Sequence, residues 1–208
     1  AMAHFLTPLD AERKADASPV TRADREAEQA MRVLLEELAP GHGVVGEEFG
    51  SVKPDAEFVW ILDPIDGTKA FVTGKPLWGT LVALLRDGEP YLGIIDLGAL
   101  AQRWVGLRGA PTTLNGVPCQ TSTCQTLSQA RLGCTSPDIF DAAKLTQFNT
   151  LCREVWFRSF GGDCAAYATL ASGHLELVVE AGLQNYDYAA LIPVIQGAGG
   201  VITDWQGR

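Results

Sequence analysis

Basic residues are scarce in this chain of 208: 16 Lys and Arg stand against 25 Asp and Glu, a net charge of −9. A nucleic-acid binder needs a basic face to displace counterions from phosphates, so the balance argues against that class. No apolar run approaches the roughly 20 residues of a membrane-spanning helix. No basic start, apolar stretch and small-residue cleavage site opens the sequence, and the initial "AMA" reads as an added or trimmed start. A soluble cytoplasmic protein is the default expectation. Histidine is sparse too. His4, His42 and His174 lie far apart, which gives Ser-His or Cys-His catalysis little support. The five cysteines are odd in number and none has Cys-x-x-Cys spacing, so they read as reduced and mostly buried.

What the chain does have is ordinary globular composition, 47% hydrophobic and 20% charged, enough for one large domain or two small ones. In "SPVTRADREAEQAMRVLLEELAP" (18–40), Ala23, Ala27, Ala30, Met31, Leu34, Leu35 and Leu38 recur on one helical face. Thr21 is the expected N-cap, paired with Asp24. A short strand precedes Glu47, and Phe58 to Leu62 reads as a strand covered on both faces. "RDGEP" and "LNG" mark hairpins. From about residue 129, strands alternate with helices at 138–151, 163–173 and 186–200, with Pro193 bending the last. "VITDW" (201–205) reads as a final strand. A soft boundary falls near residue 128, between an α+β half (1–128) and an α/β half (129–208).

Acidic residues stand where predicted elements end: Asp24 early in the first helix, Glu47 and Glu48 after "VVG", Asp63 and Asp66 after the strand, and Asp187 opening a late helix. Hard divalent cations such as Mg²⁺ take oxygen ligands, commonly a few carboxylates plus substrate phosphate oxygens. In "DPIDGT" (63–68) a proline-fixed turn lets Asp63, Asp66 and the Ile65 carbonyl face one point. Gly67 and Thr68 then offer backbone amides as an anion cradle. Cations beside such a cradle suggest metal-assisted phosphoryl transfer to water. Each piece alone has a blander reading. Asp-Pro-x-Asp-Gly is a turn, Glu47-Glu48 a solvated surface, Asp187 an N-cap, and Asp24 a capping-box residue. Their joint presence, in a chain without histidine or cysteine chemistry, favours the site.

"VVGEEFG", "WILDPIDGTKAF" and "NYDYAALIPVIQGAGGVITDW" resemble the three signatures of the inositol-monophosphatase-like family of Mg²⁺-dependent, lithium-sensitive phosphatases. The resemblance covers nearly the whole chain. It implies a layered αβαβα sandwich of the sugar-phosphatase type, a mixed α+β and α/β fold, and a homodimer. It implies two or three Mg²⁺ held by Glu47, Asp63, the Ile65 carbonyl, Asp66 and Asp187. Thr68, backed by Asp24, would orient and deprotonate the attacking water, with Glu48 near it. The Gly67 and Thr68 amides would hold the phosphate, and Glu180 would meet the substrate's alcohol portion.

Tyr186 stands where the family usually has tryptophan. With "GTKAFVTGKPLWGTLVALL" and "FGGDCAAYATLASGHLELVVEAGL", this variant resembles the family's histidinol-phosphate phosphatases, which act in histidine biosynthesis. Asp163 and Glu180 would then meet a cationic amino alcohol, although Asp163 also suits a helix N-cap. Thr73, Lys75 and Trp78 fit loop or core positions better than a pocket rim. Members of the family normally have a helix ahead of "VTRAD" and a strand and helix after "VITDWQG", so the chain is expected to be shortened at both ends. The competing expectations are an inositol-phosphate, sugar-phosphate or 3′-nucleotide phosphatase of the same family, and a non-catalytic module binding metal or phosphate.

Overall fold

The structure, a computed structural model, describes residues 1–8, 11–13 and 19–208. Ser18, at the head of the first helical segment, lies outside them. Thr21 starts the helix α1 (Arg22–Leu38) as expected: its hydroxyl accepts the Ala23 amide, and Asp24 closes a capping box on the Thr21 amide. The buried face is only partly the expected one, at its start. Ala23, Asp24 and Glu28 are buried, while Leu34 and Leu38 are 55% and 78% exposed. The helix is turned so that its carboxylates reach backbone amides near the end of the sheet, where hydrogen bonds satisfy them.

Two short strands, β1 (Glu12–Arg13) and β2 (Pro19–Val20), pair antiparallel. The main sheet contains β3 (Gly43–Gly46), β4 (Gly50–Val52), β5 (Phe58–Asp66), β6 (Gly79–Arg86), β7 (Glu89–Leu97), β8 (Gln102–Leu107), β9 (Thr113–Leu114) and β10 (Val117–Pro118), in the order β10-β9-β8-β7-β6-β5-β3-β4. Asp87-Gly88 and Asn115-Gly116 turn the two expected hairpins, all four residues at positive φ. The helix α2 (Thr68–Val72) follows β5.

The second half forms β11 (Arg131–Cys134), α3 (Ala142–Glu154), β12 (Phe157–Phe160), α4 (Cys164–Ala171), β13 (Leu177–Val178), α5 (Asn185–Tyr188) and α6 (Leu191–Gly197). The strands make a parallel sheet ordered β12-β11-β13. Helix α3, expected over 138–151, begins later, at Ala142, with Asp141 as its cap. Two helices replace the single one expected over 186–200. Pro193 has no N–H for the Ala189 carbonyl, and the helical ladder is interrupted ahead of it although Ala189 and Ala190 keep helical angles. Residues 201–204 form no strand. Val201 is 84% exposed, and the chain there is anchored by Trp205, which packs on Phe140 and donates Nε1–H to the Glu180 carbonyl at 2.9 Å, instead of by a ladder.

The layers run α–β–α–β–α. Ala23, Ile65, Ala70, Phe71 and Trp78 form a core between the main sheet and α1 and α2. Ile61, Leu81, Ile95, Leu191 and Val194 fill its other face under α4 and α6. Leu132, Cys134, Phe148 and Cys152 join α3 to the small sheet. Among the described residues, no helix is long and apolar enough to cross a membrane.

Two glycines set how closely α6 rides on the main sheet. A Cβ on Gly93 would lie 2.0 Å from the Ala190 carbonyl oxygen, and one on Gly106 would lie 2.4 Å from that of Pro193. Because the obstacle is backbone, no rotamer can relieve it. Gly93→Ala is expected to destabilise the chain by about 1–3 kcal/mol, read as a lower urea midpoint with an unchanged slope.

Candidate metal and phosphate site

The carboxylates converge because β5 runs further than its apolar stretch. The sequence suggests a strand ending at Leu62 and a turn over 63–66. Instead β5 continues to Asp66, with a register shift between Asp63 and Asp66. That bulge accommodates Pro64, which cannot donate to the ladder, and the Thr80 hydroxyl donates to the Pro64 carbonyl at 2.9 Å. The shift brings Asp63 and Asp66 together, and α5, packed on β5 and β6, carries Asp187 to them. One oxygen from each of Asp63, Asp66 and Asp187 lies within 4.8 Å of the others.

The electrostatics of this cluster are those of a cation site. Asp63 is 2% exposed. Burial pushes its carboxyl well above the usual range. The charges of Asp66, Glu47 and Asp187 and a hydrogen bond with Glu47 push it further. Asp66 is pushed up to about 8 by burial and by Asp163 and Asp187, against the pull of hydrogen bonding with Cys164. Carboxylates held this close repel one another unless a cation intervenes. The donors are all oxygen, as Mg²⁺ requires, so the residues present fit such an ion.

Thr68 opens α2, and Gly67 before it has φ 84°. A side chain there would be strained, and its Cβ would stand 3.1 Å from an Asp163 carboxylate oxygen. Amides at a helix start have no acceptor within the helix. The Thr68 hydroxyl donates to the Ile65 carbonyl at 3.1 Å and lies 3.5 Å from Asp24 Oδ1. The other Asp24 oxygen accepts the Thr21 amide at 2.8 Å and its hydroxyl at 2.6 Å, so the cap also aims the carboxylate. Glu47 and Glu48 occupy the turn between β3 and β4, Glu47 beside Asp63.

Asp163 and Glu180 come from the second half of the chain, Asp163 at the start of α4 and Glu180 after β13. Asp163 holds the N-cap position of α4 but makes no cap bond with its side chain, and its backbone sits at φ 43°, ψ −127°. Its carboxyl is raised by burial, with Lys69 and Thr135 pulling it back. Glu180 accepts the Thr135 amide at 2.6 Å and is pushed up to about 7, mainly by burial. Thr73 and Lys75 are exposed, and Trp78 is in the core.

Two contributors escape sequence reasoning. The Cys164 amide donates to Asp66 at 2.5 Å across 98 residues of sequence, with no local signal for it. Glu28 is fully buried and accepts the Glu48 and Phe49 amides at 2.7 and 3.2 Å. Its signal was available: Asp24, Glu28 and Arg32 are spaced four apart, on one helical face.

A sequence model of the inositol monophosphatase family matches residues 1–208. The chain is 48% identical over 207 residues to the chloroplastic bifunctional phosphatase IMPL2 of Arabidopsis thaliana, covering 99% of this chain and 60% of that protein. It is 38% identical over 200 residues to a histidinol-phosphatase of Mycobacterium tuberculosis, covering 93% of this chain and 77% of that one. A solved inositol monophosphatase from Zymomonas mobilis superposes with a TM-score of 0.90 at 47% identity, covering all of this chain and 80% of that one.

Proposed function

The chain belongs to the inositol monophosphatase family, and we propose that it is a Mg²⁺-dependent phosphomonoester hydrolase with L-histidinol phosphate as preferred substrate. The observation that carries the reading is the convergence of Asp63, Asp66 and Asp187 beside the Gly67–Thr68 helix start. Glu47, Asp63, the Ile65 carbonyl, Asp66 and Asp187 would hold two or three Mg²⁺. Bound there, the ions would supply positive charge to the phosphate oxygens and acidify water. The Gly67 and Thr68 amides bind the phosphate. Thr68 accepts a proton from the attacking water as it passes its own to Asp24 Oδ1, and Glu48 borders that water. The water oxygen bonds to phosphorus as the phosphorus–oxygen ester bond breaks, and the departing alkoxide takes a proton from solvent to leave as the alcohol. Both halves of the chain, divided near residue 128, supply metal ligands, and the working form is a homodimer.

Two part-buried acidic groups, Asp163 and Glu180, support a cationic alcohol as leaving group. The ammonium of histidinol would offset charges that burial makes unfavourable. The histidinol-phosphatase relative points the same way. The second reading is inositol 1-phosphate, favoured by the 47% identity to the Zymomonas enzyme.

Thr68→Val keeps the shape of the side chain and removes its proton relay. It is expected to lower kcat by about 10²-fold or more, with little change in melting temperature. Phosphate release in Mg²⁺ from histidinol phosphate, inositol 1-phosphate and a 3′-phosphoadenosine nucleotide, run in parallel, tests the assignment. A kcat/KM highest for histidinol phosphate supports it. Preference for another ester overturns the substrate, and no turnover of any ester brings forward the non-catalytic binding module.

A further inference from the structure

Glu28 has no part in the chemistry above, yet it is a fully buried carboxylate at the edge of the site. One oxygen accepts the Glu48 amide, and the other accepts the Phe49 amide and the Arg32 Nε–H at 2.8 Å. Arg32 reaches on to the Gly50 carbonyl at 2.5 Å. The pair crosses directly over Gly46. A Cβ there would lie 2.0 Å from a Glu28 oxygen and 2.8 Å from Arg32 Nη2, so the glycine gives the ion pair its room. The Glu47 amide is itself tied to the Leu62 carbonyl at 3.2 Å. The turn that carries Glu47 is thus fastened at each residue from 47 to 50, and three of those fastenings come from one ion pair. The helix that supplies the pair also supplies Asp24, one turn earlier.

We propose that the Glu28–Arg32 pair is a positioning device that presets the Glu47–Glu48 turn for divalent metal, making metal affinity depend on α1. This rests on the metal-site reading above. A carboxylate is the group suited to the task because three donors converge on two oxygens. Groups that orient metal ligands, when replaced, typically lower metal affinity 10–100-fold. A merely structural ion pair would lower stability and leave metal affinity alone.

The test is Mg²⁺ binding to the full chain, by calorimetry and by the rise in melting temperature with Mg²⁺, for wild type, Glu28→Gln and Arg32→Lys. In Glu28→Gln one oxygen becomes an NH₂ that faces donors, so the turn loses part of its anchorage at constant volume. Its Mg²⁺ affinity is expected to fall about 10-fold or more. Lysine cannot span both Glu28 and the Gly50 carbonyl as arginine does, and Arg32→Lys is expected to lose about threefold. Wild-type affinity in a folded Glu28→Gln, with only a lower melting temperature, overturns the proposal. If Glu28→Gln does not fold, wild-type affinity in Arg32→Lys overturns it instead. A wild-type chain that Mg²⁺ neither binds nor stabilises overturns this inference together with the metal-site reading.

Discussion

Asp66→Asn is expected to stabilise the metal-free chain at pH 8 and, by the same change, to lose most of its phosphate release. Asp66 titrates in the folded chain at about 8, raised first by burial and then by Asp163 and Asp187. Its unfolded value is that of an ordinary carboxylate, near 4. Between those values the folded chain holds a proton that the unfolded chain has released. Stability of the metal-free chain therefore falls as pH rises from about 4 to 8. Asparagine carries no charge and can still accept the Cys164 amide through its carbonyl oxygen. The variant should lose that part of the pH slope and melt higher at pH 8, at roughly 2–4 °C per kcal/mol for a chain of this size. Mg²⁺ should raise the melting temperature of wild type far more than that of the variant. Phosphate release should fall at least about 10²–10³-fold, the usual loss when one preorganised electrostatic group is removed. Melting curves in EDTA at pH 5 and 8, beside initial rates in Mg²⁺, check both halves. A variant less stable than wild type at pH 8 would show that the acidic cluster is not held under repulsion.

The second large effect is on substrate choice. Glu180→Gln should raise KM for histidinol phosphate about 10–100-fold, the range of a hydrogen bond to a charged group, while KM for inositol 1-phosphate changes by less than about threefold. Glu180 titrates at about 7 in the free chain because burial resists its charge. Only the ionised form attracts the substrate ammonium, which stays protonated throughout. In wild type, kcat/KM for histidinol phosphate should rise relative to that for inositol 1-phosphate between pH 6 and 8, and in Glu180→Gln that rise should vanish. The ratio cancels the titration of the phosphate group common to both esters. An equal loss for both substrates would make Glu180 a support for the 135–136 turn, whose Thr135 amide it accepts, and not a contact for the cation.

The order of layers was legible only through the family resemblance, whereas the helix cap, the hairpins and the line of carboxylates were legible because they rest on local signals. Thr21 and Asp24 form a capping pair three residues apart, Asp-Gly and Asn-Gly turn hairpins, and acidic residues stand at element ends. What was not legible depends on tertiary geometry. The stripe through Leu34 and Leu38 looks like a core face, yet the helix turns Glu28 inward to backbone amides 20 and 21 residues away, and Asp24 inward to its own cap. The continuation of β5 through Pro64 requires a bulge that is set by pairing with β6. The approach of Cys164 to Asp66 joins the two halves of the chain. The segment 201–205 has strand composition, but a ladder needs a neighbour, and here Trp205 fixes it through its ring.

Everything proposed for this chain depends on these carboxylates being a divalent metal site. Diffraction from crystals grown with Mn²⁺, recorded at the manganese absorption edge, tests it most directly. Anomalous peaks are expected at coordinating distance, about 2.0–2.3 Å, from oxygens of Asp63, Asp66 and Asp187, with Glu47 and the Ile65 carbonyl completing the protein ligands. Fully occupied manganese elsewhere on the chain, with no peak among these residues, would contradict it.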